Sequence, residues 1–327
     1  MLSVSVVMAT YNSERTVEQA LRSVREQDYP QDKIEIVVAD GGSSDKTRQF
    51  LSKYKAKVIN ERTGSPEKAK ALAIKKAKGE LVLFLASDNE LTSKAWLREM
   101  VGCLKKEKQA VAAYSWRYQW RETDTSLNRY FALLGANDPV AWFMGRADRQ
   151  GWGSKKWKLS GEVKNKGKYF TVKFNEWNMP TLGDNGFLIW REELLRAGIG
   201  GKQYFHIDAV YDLVKLGKNL FVVGKSTIEH NTGGRYGSFL AKRGKYMREL
   251  YLKVRAKRRY RWDETRRDKV KILGFVIYTL TLVGPIMWSV RGYIWKRDLA
   301  WFWHLPMCLG ILIVYGWESM LRFRTLT

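Results

Sequence analysis

Over the first hundred residues, short apolar runs of strand character alternate with stretches of helical character, and this alternation restricts what the chain can fold into. Strand character marks Ser3 to Met8, Ile34 to Ala39, Val58 to Asn60 and Leu81 to Leu85. Between them the pattern predicts helices from about Ser13 to Glu26, Lys46 to Tyr54 and Pro66 to Ala77. Strands separated by helices call for an α/β fold, a mostly parallel sheet covered by helices on both faces. Ligands of such sheets sit beyond the carboxyl ends of the strands. Here those ends carry Thr10-Tyr11-Asn12, Asp40-Gly41-Gly42 and Ser87-Asp88-Asn89, so three polar clusters converge on one edge.

The rest of the chain is less regular. Residues 114–180 are aromatic and basic, with Trp116, Trp120, Trp142, Trp152, Trp157 and Trp177, and read as loops and short hairpins on the acceptor side. Amphipathic helices are predicted from Asn185 to Gly198 and from Ile207 to Gly217, each closed by glycine. Residues 242–271 are densely basic, with Lys257-Arg258-Arg259 and Arg266-Arg267 just before two runs, 272–290 and 299–317, that hold no Asp, Glu, Lys or Arg. Each run is about long enough to cross a bilayer core of roughly 30 Å. They read as a membrane hairpin, transmembrane or re-entrant, and the basic segment before them as a contact with an anionic lipid surface. The same features also fit two buried helices preceded by a solvated charged one. The expected organisation is a catalytic domain over 1–235, a basic juxtamembrane segment over 236–271 and the hairpin over 272–327.

Charge narrows the partners. Lys and Arg number 58 against 33 Asp and Glu, a formal net charge of +25, which favours anionic ligands such as nucleotides or phosphorylated lipids. No nucleic-acid-binding motif accompanies it. Cys103 and Cys308 offer neither a disulfide framework nor metal-ligand spacing, consistent with a reducing compartment. The opening Met1-Leu2-Ser3 lacks the basic start of a signal peptide, so the first domain is expected on the cytoplasmic face of the membrane.

Individual residues suggest chemistry. Asp40 ends an apolar strand before two glycines, where a carboxylate can accept hydrogen bonds from a base or ribose; Asp45, before Lys46-Thr47, better fits a helix cap. Asp88 leaves a buried strand beside Asn89, and a hard cation bridging a diphosphate needs such oxygen ligands.

The segments VSVVMATYNSERTVEQALRSVREQDYP, IVVADGGSSDKT and KAKGELVLFLASDN, in that order, resemble the successive signatures of family 2 glycosyltransferases. The resemblance covers residues 3–100 closely and 180–232 more loosely. It implies a GT-A fold and a nucleotide-sugar donor, by family habit a UDP-sugar. It puts Thr10, Tyr11, Glu14 and Asp40 around the nucleoside, Lys70 near the diphosphate, and Ser87 and Asp88 in the metal motif. That motif is usually Asp-x-Asp; Ala86 replaces the first acid and Asp88 matches the second. PTLGDNGFLIWREELLRAGIG resembles the loop lining the sugar and acceptor site, implicating Gly183, Asp184 and Asn185. Asp208 in Phe205-His206-Ile207-Asp208 matches the catalytic base, and His230 stands where some members place a late metal or phosphate contact. Asp208 also fits a helix N-terminal acid stabilised by the dipole, and His230 a structural histidine. The cofactor implied is a divalent cation, Mg2+ or Mn2+.

The reaction implied is inverting, metal-assisted transfer to a hydroxyl of a membrane-borne glycan or lipid-linked saccharide, with Asp208 deprotonating the incoming hydroxyl. A phosphate acceptor is already anionic and needs no base, so a polyprenyl-phosphate sugar synthase is the second reading. A third, encouraged by Ala86, is a non-catalytic basic membrane-binding protein.

Overall fold

The structure, a computed structural model, describes all residues except Thr63, 198–203, Gly233, Trp262 and 325–327. The expected glycine end of the helix at Gly198 lies outside the described residues. In chain order the elements are β1 (Val4–Thr10), α1 (Val17–Arg25), β2 (Ile34–Asp40), α2 (Thr47–Lys53), β3 (Lys57–Asn60), α3 (Pro66–Lys76), β4 (Leu81–Phe84), β5 (Asn89–Leu91), α4 (Trp96–Lys106), β6 (Ala112–Ser115) and β7 (Tyr118–Gln119). Then come α5 (Ser126–Leu134), α6 (Pro139–Phe143), β8 (Glu162–Asn165), β9 (Tyr169–Lys173), β10 (Phe187–Trp190), α7 (Arg191–Arg196), α8 (His206–Lys215), β11 (Leu220–Gly224) and β12 (Ile228–His230). The helices α9 (Tyr236–Tyr246), α10 (Arg266–Leu280), α11 (Val283–Trp295) and α12 (His304–Arg324) follow.

Two compact units result, Met1–Gln119 with Gly161–Asn231, and Trp120–Ser160 with Thr232–Thr327. The first unit is the α/β body, a nine-stranded sheet in the order β3-β2-β1-β4-β10-β6-β11-β9-β8. The strands are parallel from β3 to β4, as the alternation of the first hundred residues requires. Val4, Val6, Val7, Val37, Val38 and the whole of β4 are almost fully buried. Each such side chain contributes about 1.5–3 kcal/mol on leaving water. The register aligns Thr10 with Asp40, so the ends of β1 and β2 fall at one level on one edge.

Residues 187–190 correct an expectation. They form β10, antiparallel between β4 and β6, and only Arg191–Arg196 is helical. The run Phe187-Leu188-Ile189-Trp190 is apolar on both faces because the sheet is covered on both. A second sheet, β5-β12-β7, carries the site: β12 runs antiparallel to β5 and pairs His230 with Asn89.

The second unit is helical. Residues 120–160, read from sequence as acceptor-side loops, here supply α5 and α6 and pack with the C-terminal segments around Trp301, Phe131 and Met307. Leu299–Leu321 is one apolar helical stretch long enough to cross a membrane. The earlier run, 272–290, is instead split between α10 and α11, which bend by 80° at the break. The cause is local. Pro285 cannot donate to the preceding turn, Leu282 adopts φ 63°, and a Cβ on Gly284 would lie 2.3 Å from the Tyr278 ring. Cys103 and Cys308 are both free thiols.

Candidate active site

At the β1 and β2 ends, Asp40 is fully buried. Its Oδ1 accepts from Thr10 Oγ1 (3.2 Å) and Ser43 Oγ (2.5 Å), and its Oδ2 from the Ser43 amide (3.1 Å) and Arg48 Nε (2.8 Å). Burial alone would raise this carboxyl, but the hydrogen bonds from Ser43, Arg48 and Thr10 outweigh it and hold Asp40 below the usual carboxylate range. Tyr11 is 66% exposed and stands against Gly41, where a Cβ would come within 3.3 Å of its ring. An open aromatic face beside a buried anion suits a nucleobase. Glu14 does something else here: its carboxylate accepts from the Lys46 amide (3.1 Å) while its own amide donates to Asp45 (3.0 Å). It ties the two loops together, and Asp45 also accepts from the Thr47 amide as a cap.

The β4 end is joined to this corner by a hydrogen bond of 3.1 Å between Ser87 Oγ and Ser13 Oγ. Because β12 pairs His230 with Asn89, and the Asn231 amide donates to the Asp88 carbonyl (2.8 Å), the imidazole is brought over the loop. His230 Nε2 lies 3.5 Å from Asp88 Oδ1. Asn89 is not part of this pair: it is buried and its Oδ1 accepts from the Ala86 amide (3.0 Å), closing the turn. Among the described residues no group of three or more His, Cys, Asp or Glu side chains gathers in metal-binding geometry. One carboxylate and one imidazole therefore fit a cation that takes its remaining ligands from a diphosphate or water.

The third corner is the 183–185 loop. Gly183 has φ 113°, and a Cβ there would lie 2.7 Å from the His206 carbonyl, so only glycine lets this loop lie against the start of α8. Asp184 pairs with Lys70 of α3. Burial would raise its carboxyl, yet Lys70 and His206 bring it below the ordinary value. Asn185, at φ 55°, donates from Nδ2 to Tyr118 Oη (3.3 Å), and the Tyr118 ring lies 5.7 Å from that of His230. Contacts therefore run from Asp184's neighbour to the Asp88 corner. Asp208 sits in the first turn of α8 and is fully buried.

Sequence reasoning missed Arg48, Tyr118 and His206. Arg48 has a signal, lying eight residues after Asp40 at the start of the next helix. Tyr118 has none, because its place depends on the two-residue strand β7 beside β12.

The sequence profile described as "Glycosyl transferase family 2" matches residues 5–181. Over 95 residues the chain is 39% identical to poly(ribitol-phosphate) beta-N-acetylglucosaminyltransferase TarS of Staphylococcus aureus, a stretch of 27% of this chain and 17% of that protein. Over 90 residues it is 34% identical to UDP-Glc:alpha-D-GlcNAc-diphosphoundecaprenol beta-1,3-glucosyltransferase WfgD of Escherichia coli, 26% of this chain and 35% of the relative. The chain thus matches well under half the length of either relative. Among solved structures, mannosyltransferase PcManGT from Pyrobaculum calidifontis, in complex with GDP-Man and Mn2+, superposes with a TM-score of 0.56 at 14% identity, over 97% of this chain and 88% of that one. That likeness shows the GT-A fold.

Proposed function

Because this chain belongs to glycosyl transferase family 2 and is a glycosyltransferase, we propose that it transfers a sugar, with inversion, from a UDP-sugar to a hydroxyl of a membrane-borne glycan or lipid-linked saccharide. The observation that carries the reading is the Asp88–His230 pair, 3.5 Å apart at the strand-end corner beside Ser87 and the Tyr11 and Asp40 pocket. The printed names of two relatives, one acting on poly(ribitol-phosphate) and one on a diphosphoundecaprenol-linked sugar, support an acceptor of this class.

Tyr11 offers its exposed face to the base, and Asp40, held as an anion, accepts from the base or ribose. Asp88 and His230 would hold a divalent cation, whose chemistry is to neutralise the leaving diphosphate. The imidazole in that set favours Mn2+ over Mg2+, which takes oxygen ligands. Lys70 adds a positive charge near the same groups. The Gly183–Asn185 loop seats the acceptor, and Asp208 takes the proton of its hydroxyl. Full burial of Asp208 keeps bulk water from it, so a docked acceptor is favoured over hydrolysis of the donor. The exposed apolar side chains of α10 to α12 support attachment to a membrane, with the basic 242–271 segment on anionic lipid and the catalytic unit on the cytoplasmic face.

The test is Mn2+-dependent release of UDP by detergent-solubilised protein, given a UDP-sugar and a lipid-linked saccharide. Asp88→Ala is expected to lower turnover by about 100- to 1000-fold, the loss typical of removing one stabiliser of developing charge. Turnover that survives both chelation and this substitution overturns the reading.

A further inference from the structure

The helical unit encloses a cavity of about 600 Å³ that the reaction does not use. Its volume is in the range of sites that hold small organic ligands. Part of the lining is apolar, from Ile272, Phe275, Val276 and Leu312; part is basic, from Arg255, Arg258 and Arg261, against the single carboxylate of Asp263. Arg255 pairs with Asp263 and Arg261 with Glu264. Arg258 is buried, donates to the Leu250 carbonyl (2.9 Å) and lies 5.2 Å over the Tyr251 ring. The cavity thus has an excess of positive charge. Met247–Leu252 is a π-helical segment that lines it with Met247, Tyr251 and Leu252. Such segments are often found at functional sites.

Charge and apolar walls together call for a ligand that is both anionic and hydrocarbon. The helix that lines the cavity with Ile272, Phe275 and Val276 also exposes Leu273 and Ile277, so the cavity adjoins the apolar outer surface. We propose that this cavity binds one molecule of an anionic membrane lipid, with its phosphate on Arg258 between Arg255 and Arg261 and its chain among Ile272, Phe275, Val276 and Leu312. The site deepens the reading that the chain works at a membrane and rests on that reading.

Native mass spectrometry of the full chain in a neutral detergent tests it, with 1-oleoyl lysophosphatidic acid as probe and monoolein, which carries the same chain without the phosphate, as control. One lysophosphatidate per chain is expected, monoolein binding at least about tenfold more weakly, and excess inorganic phosphate failing to displace the lipid. Arg258→Gln is expected to weaken lysophosphatidate about tenfold, and Ile272→Trp, which fills the cavity without altering charge, to abolish the adduct while UDP-sugar binding stays at the wild-type level. Val276→Trp replaces Ile272→Trp should the latter unfold. Equal binding of the two lipids, displacement by phosphate alone, or an undiminished adduct in the cavity-filling variant overturns the proposal. Flotation on phosphatidylcholine vesicles reads membrane attachment separately, and donor turnover reads the reaction separately, so each can fail while the others stand.

Discussion

The two units are built in opposite senses. In the sheet unit apolar side chains fill the interior and the charged groups stand at one edge, as at the β1, β2 and β4 ends. In the helical unit much of the charge is inside. Arg243 and Tyr315 meet on Asp138, Arg146 on Asp268, and Arg129 reaches Asp298 with two bonds of 3.1 Å. His304 is likewise buried, between Tyr130 (2.8 Å) and Tyr278 (3.0 Å). Meanwhile the exposed large apolar residues concentrate between Val270 and Leu321, among them Leu273, Ile277, Leu280, Met287, Ile294, Ile313 and Trp317. Water explains the first arrangement. The second is stable where the outer medium is hydrocarbon, because polar groups there must find partners within the protein.

The largest effect expected from this contrast is on the buried charges. Asp138→Ala leaves Arg243 without its carboxylate, and breaking a buried pair from one side costs about 3–5 kcal/mol. A fall in thermal stability of that size, read by circular dichroism in detergent, would sharpen the contrast; a neutral result would show that the pair is screened like a surface one. A smaller effect is expected on the outside. Ile277→Lys is expected to leave folding in detergent unchanged and to weaken flotation on vesicles, a charge in hydrocarbon costing about 2.5–3.5 kcal/mol. Unchanged flotation together with lower stability would mean that this face is a soluble surface.

The smallest expected effect lies in the sheet unit and depends on pH. The Asp40 and Asp184 carboxyls are lowered on folding, so the stability they add is present above the unfolded carboxylate value of about 3.9 and is lost as pH falls through their lower folded values. Lys70→Met removes the leading attraction on Asp184, so its folded value rises and acid unfolding begins at a higher pH. An acid midpoint that does not move would show that Lys70 does not hold Asp184 low.

The same contrast explains how much was legible in the sequence. The α/β body announces itself because parallel strands covered on both faces are short apolar runs, and each functional cluster follows one directly. β10 was hidden because four apolar residues run straight into Arg191-Glu192-Glu193-Leu194-Leu195, and periodicity does not separate a short buried strand from the helix after it. Glu14 was misread because an acid after the first strand can hold a loop as well as a ligand, and only the Lys46 amide distinguishes the two. The break at Leu282 had its signal in Gly284-Pro285, but hydropathy read alone runs through both. His230 was legible as a residue; its proximity to Asp88 depends on a register fixed 140 residues earlier at Asn89.

The most direct test of hydroxyl-directed sugar transfer is product formation by detergent-solubilised protein and its Asp208→Asn variant, with a UDP-sugar, Mn2+ and either a lipid-linked saccharide or a bare polyprenyl phosphate. Glycosylation of the saccharide alone, abolished in the variant while donor binding persists, is the predicted result. Transfer to the bare phosphate that survives Asp208→Asn would contradict it and make Asp208 a structural acid at the start of α8.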